Sequence, residues 1–221
     1  MAITKVTSSV LDVDIPAYKS FGTSSIMIGD TTTGTIDAAN YNTGLGVNVF
    51  EDLTSGDNNS AFGFNALTNL TTGSNNTAIG RTVMVSTTTQ SDNTAVGYAA
   101  LNVNAAANNT AVGSSALAAN TTGTANTALG FRALDANVTA NNNTAIGDNA
   151  LGSNTVADNT AVGFYAMLGN TTGRINTAVG RSAMQANTTG GDNSAFGGLA
   201  LDANTTGGSN TALGYATLSA N

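Results

Sequence analysis

The chain has 221 residues, 6 Lys+Arg against 13 Asp+Glu, a formal net charge of −7, and only 9% charged residues, where an ordinary globular domain has about 25%. Without clustered Lys/Arg it lacks the electrostatic footprint of a nucleic-acid or anionic-membrane binder. It has no His and no Cys, which excludes His-based triads, thiolate nucleophiles, disulfide staples and the common zinc sites.

The opening Met1-Ala2-Ile3-Thr4-Lys5-Val6-Thr7 has no long apolar run of the secretory type. No stretch approaches the roughly 18 apolar residues of a membrane span, so no membrane insertion is predicted. Leu11, Val13 and Ile15 alternate with Asp12 and Asp14, the pattern of a half-buried strand, and Pro16 ends it. Residues 1–24 are expected to be a cap or attachment segment, since an uncapped solenoid end is a raw strand edge.

From residue 25 one pentapeptide returns through the chain, Asn-Thr/Ser-Ala-hydrophobic-Gly. Examples are Asn126-Thr127-Ala128-Leu129-Gly130 and Asn176-Thr177-Ala178-Val179-Gly180; a degenerate copy starts at Ser25 and a near copy, with Gly44 for the alanine, at Asn42. Successive copies are 16 or 17 residues apart. Ala, Asn, Thr and Gly dominate the composition, which suggests disorder, but so strict a period marks a stack of units that cannot bury their apolar faces alone. Seventeen residues is too short for a helical repeat of about 33 to 47 residues. Residues 25–221 are therefore predicted to be an all-β parallel solenoid of about twelve turns.

With the Asn as position one, position five is always Gly, from Gly29 to Gly214. An invariant glycine marks positive φ or a close backbone approach. Position four is always large and apolar, as in Leu45, Ile79, Leu129 and Val162, and is expected to be the core column. Position nine (Phe50, Leu67, Met84, Leu134, Met167 and their equivalents) is expected to be a second core column on a second short strand. The remainder is a loop, usually Asn-Thr-Thr-Gly and two polar residues. Both 16-residue turns lose a residue there, at 104–108 and 154–158, which places the loop outside.

The loop spells a glycosylation sequon at Asn120, Asn170, Asn187 and Asn204, read here as an accident of the repeat. Stacked at about 4.8 Å per turn, the position-one asparagines (Asn59 to Asn210) and the position-twelve ones (Asn104, Asn120 to Asn204) are expected to form amide ladders along the axis, or else local turns to their own backbone. Either role is structural.

No catalytic constellation is present. Glu51, beside Asp52, is the single glutamate, and Asp92, Asp135, Asp148 and Asp192 fall on different turns, unlike the paired carboxylates of a glycosidase. Asp57, Asp92, Asp158 and Asp192 sit near the strand starts, but without the nonapeptide of calcium-binding β-rolls. No cofactor or metal is expected. An ice-binding face needs paired Thr rows on its strands, whereas each strand here has a single Thr (Thr94, Thr110, Thr127). One column is a candidate for recognition or subunit contact. Position six reads Phe64, Arg81, Tyr98, Ser114, Phe131, Asp148, Phe164, Arg181, Gly198 and Tyr215, with Arg81 placed for cation–π contact with Phe64 and Tyr98. Its rings would either stack on sugars or fill a groove between subunits.

The pentapeptide resembles the Asn-Ser-Val-Ala-Ile-Gly head repeat of the YadA-type trimeric autotransporter adhesins. It is closer still to the Asn-Thr-Ala-hydrophobic-Gly arrays of tail-fibre and structural proteins of tailed phages. The resemblance covers residues 25–221. It implies a left-handed parallel β-roll in a homotrimer, serving as a rigid adhesive stalk. The virion is the expected location, with a tail or virion protein at the N-terminal end and a host glycan or protein as target; the alternative is a cell-surface adhesin anchored by another chain.

Alanine at position three (Ala61 to Ala212) and position eight (Ala66, Ala100, Ala133) leaves both faces of each strand apolar. Strands of that kind are buried on both faces, so a parallel homotrimer with alanine-lined contacts is expected. Tyr215 to Asn221 keeps the repeat pattern, and a covering partner or domain is expected over Leu213 and Leu218.

Overall fold

In the computed structural model, residues 18–21, 25–29 and 39–219 are described. The strand expected at Leu11 to Ile15 lies outside them. The described elements form one 13-stranded sheet in strictly sequential order. Its first strand, β1 (Tyr18–Phe21), runs antiparallel to β2 (Ser25–Gly29), with Tyr18 opposite Ile28. From β2 onward every neighbour is parallel, through β3 (Thr43–Gly46) and the three-residue strands from β4 (Ser60–Phe62) to β13 (Thr211–Leu213). The register follows the repeat. In β8 (Thr127–Leu129) and β9 (Thr144–Ile146), Thr127 pairs with Thr144, Ala128 with Ala145 and Leu129 with Ile146. The chain is a parallel β-solenoid, as its period predicts. No helix of the described residues is long and apolar enough to cross a membrane.

Two expectations about the coil fail. The first concerns the phase of the strand. Position three points inward: Ala61, Ala78, Ala95, Ala128 and Ala161 have no accessible surface. Position four points outward, and Leu129 remains 46% exposed, Ile79 41% and Leu45 48%. The bulky column is thus the outer face and the alanine column the inner one. A coil of this length has a narrow interior. Alanines at position three, Ala or Val at position eight, the large side chain at position nine and the asparagine columns (Leu53 and Leu70 in two early coils) fill it, and the bulky residue at position four is left outside. The alanine-lined subunit contact fails with it, because those alanines are already covered by their own coil.

The second correction is that position nine lies on no strand. Each coil from β3 to β13 has one strand, and positions six to eleven form turns. Positions seven and nine are left-handed, as at Arg132 (φ 51) and Leu134 (φ 54), and so is the residue before each Asn, such as Asn142 (φ 58). These turns bend the chain back so that Leu134 enters the core, where it is fully buried. Left-handed backbone in a non-glycine residue costs about 1–2 kcal/mol. Inter-coil hydrogen bonds offset that cost. Leu134 N–H donates to Ala150 O of the next coil (3.1 Å) and Arg132 N–H to Ser114 O of the preceding one (3.0 Å), so the ladder continues through the turns.

Position five behaves as expected. Gly130 has φ +142, and a Cβ there would lie 2.4 Å from the Gly147 carbonyl oxygen. The coils approach too closely at this corner for any side chain.

Both asparagine columns are buried ladders. At position one the rungs are mixed. Asn126 Oδ1 accepts the backbone N–H of Asn143 (3.0 Å), and Asn126 Nδ2 donates to the Ala140 carbonyl across its own coil (2.8 Å). Each asparagine therefore closes one coil and fastens it to the next. At position twelve the rungs join side chains directly: Asn187 Nδ2 to Asn170 Oδ1 (2.9 Å) and Asn204 Nδ2 to Asn187 Oδ1 (2.9 Å). The expected local turn coexists with them, since Asn187 Nδ2 also donates to Gly190 O (3.0 Å). The ladder breaks at one of the shortened loops. Asn154 Nδ2 turns to Val156 O (2.6 Å), and Asn137 Oδ1 is left buried without a partner.

Candidate functional site

The outer surface has three continuous columns, two on the strand and one beyond its corner. Position two, a Thr or Ser, is half-buried to exposed, and position four beside it is aliphatic or aromatic. Together they make a flat face of Thr methyls, hydroxyls and branched apolar groups, with no charged residue in either column from Thr43 to Leu213. Strand alternation puts both on one side, and the buried alanine between them decides which side. Sequence reasoning that equated bulk with burial missed this face. The signal was available: position three is uniformly small, as an inward position in a thin coil must be.

Position six lies past the Gly corner. Among the residues singled out from the sequence, Phe64, Arg81, Tyr98, Phe131, Phe164, Arg181 and Tyr215 are all exposed, and successive coils carry them in one row. The structure brings three together as expected. The Arg81 guanidinium lies 5.8 Å from the Phe64 ring centre and 5.9 Å from that of Tyr98. Two further contacts come from position seven, which the sequence reading left out. Arg132 lies over Phe131 at 5.4 Å, and Tyr165 stacks on Phe164 with ring centres 3.9 Å apart. Asp148 accepts a hydrogen bond from the neighbouring Asn149 amide. Left-handed backbone at position seven turns its side chain alongside the row, and the frequent Asn and Ser there (Asn48, Asn65, Asn149, Ser115) are the readable trace of that geometry.

The acids work inside the loops. Asp57 Oδ1 accepts the Asn40 N–H (2.7 Å) and Asp92 Oδ1 the Asn75 amide (3.0 Å). The Asn142 amide and the Arg174 guanidinium, 2.9 Å away, hold the Asp158 carboxyl below its usual 3.8. Burial lifts Asp135 above that value, against the pull of Arg132 at 3.9 Å. Among the described residues no three His, Cys, Asp or Glu gather as metal ligands would. The sequon asparagines Asn120, Asn170, Asn187 and Asn204 are at most 2% exposed and bonded into the ladder, which is the structural use of that tripeptide here.

No protein-family model, curated protein or solved structure compared with this chain matches it.

Proposed function

We propose that this chain is the rigid shaft of a homotrimeric attachment fibre, the structural part of a phage tail fibre, with no catalytic role. One observation carries the reading: an uncharged, largely apolar face runs the length of the described solenoid at positions two and four. Monomeric proteins rarely expose contiguous apolar patches beyond a few hundred Å². A parallel bundle of copies would cover this face along its whole length, each coil meeting its equivalents. The contact is thus assigned to Leu129, Ile146, Val162 and their column, not to the alanines. The repeat's similarity to phage tail-fibre arrays supports the virion as its place; its similarity to the adhesin head repeat keeps a cell-surface adhesin as the second reading.

The test has two parts. Light scattering of the full chain should give three times the monomer mass, and a stable monomer would overturn the assembly. Immunogold electron microscopy of particles from the native source should label a tail appendage. Label confined to cell envelopes would favour the adhesin.

A further inference from the structure

The position-six row has a second periodicity. Four of its five rings, Phe64, Tyr98, Phe131 and Phe164, fall on alternate coils, 34, 33 and 33 residues apart, with polar Arg81, Ser114 and Asp148 on the coils between; the alternation stops there, with Gly198 on the next coil in step and Tyr215 one coil beyond it. At about 4.8 Å per coil, neighbouring rings are about 10 Å apart along the axis. All four are between 44% and 53% exposed.

The geometry points to this row as a binding platform for an extended, neutral, β-linked hexose polymer lying along the solenoid axis. In such a polymer alternate rings are turned over, so the same sugar face returns every second residue, over nearly the same distance as the two-coil step. The C–H groups of a hexose face carry slight positive charge and meet the negative face of an aromatic ring. Arg81 and Asp148, between the rings, face the intervening sugars, whose hydroxyls take a donor from the first and an acceptor from the second. The rings are held in advance: Arg81 braces Phe64 and Tyr98, Arg132 braces Phe131, and Tyr165 backs Phe164. Side chains already fixed lose less entropy on binding. A row meeting only another protein subunit has no need of a two-coil step, because every coil offers the same backbone.

The inference borrows its biological setting from the fibre reading, but the site belongs to one chain. Calorimetric titration of the full chain with cello- and chito-oligosaccharides of increasing length is the test, with mass measured by light scattering on the same samples. Affinity should climb with each added pair of sugars until four rings are engaged. Phe131→Ala should weaken binding of the longest oligomers by on the order of tenfold without altering mass, and Phe131→Tyr should retain it. If neither series binds, or if Phe131→Ala and Phe164→Ala leave binding unchanged, the platform is wrong. It is equally wrong if those variants lower the mass, since the row is then a subunit contact. A monomer that binds the oligosaccharides would sink the trimer and leave the platform standing.

Discussion

At the scale of single residues, the coil is governed by places where only one side chain fits. Gly130 is one of them, because both its φ and the nearby Gly147 carbonyl exclude a Cβ. Gly130→Ala should destabilise the protein by at least about 2 kcal/mol, measured by urea unfolding. Equal stability would mean that the corner can open without cost. Position twelve is a subtler case. The second and third coils place Leu53 and Leu70 there, buried, the fourth places Thr87, also buried, and the coils from the fifth onward place asparagine. Leucine fits the space, yet Asn187→Leu should still cost about 1–3 kcal/mol. It would leave Asn170 Oδ1 without its donor and remove one of the two acceptors of Asn204 Nδ2. The column tolerates leucine as a block and asparagine as a block, because a rung needs its neighbours. A melting temperature unchanged in that variant would show that the ladder contributes little.

At the scale of the element, one strand places adjacent residues in opposite environments. Ala128 is fully buried and Leu129 is 46% exposed. Ala128→Glu forces a carboxylate into a dry interior with no partner and should unfold the neighbouring coils, at a cost of several kcal/mol. Leu129→Asp should leave the circular dichroism and the monomer's fold intact but lower the mass seen by light scattering. The opposite pattern, a tolerated Ala128→Glu with a disruptive Leu129→Asp, would restore the bulky column to the core. The turn is the other lesson at this scale. Position nine reads as a strand core because it is apolar and regular, but it reaches the interior from a left-handed turn, and its burial was legible where its backbone was not. Leucine carries no local preference for positive φ; Leu134 adopts it because burying the side chain and completing the inter-coil bonds outweigh the local cost.

For the whole molecule, stacking sets the dimensions. The twelve parallel strands from β2 to β13 are separated by eleven steps, which at about 4.8 Å each span about 53 Å. Small-angle scattering should give an elongated particle at least that long, and a compact isometric envelope would contradict the stack. Every coil touches only its neighbours in sequence, so stability is a sum over adjacent pairs. β1 covers the first edge by pairing antiparallel to β2, whereas in the last coil Leu213 is 79% and Tyr215 75% exposed.

The amino-acid sequence by itself determined the period, the parallel register, the glycine corner and the two asparagine columns. Each is a constraint repeated at a fixed spacing: when every coil meets a copy of itself, whatever a residue needs locally must recur one coil later. Burial at position nine was legible for the same reason. What only the tertiary structure decided is which side of the strand is inside. Positions three and four are both apolar, so alternation alone does not choose between Ala128 and Leu129. Closure of the coil makes the choice, since left-handed turns at positions seven and nine send the large position-nine side chain inward, leaving position three room for an alanine. The aliphatic column is thereby displaced to the surface.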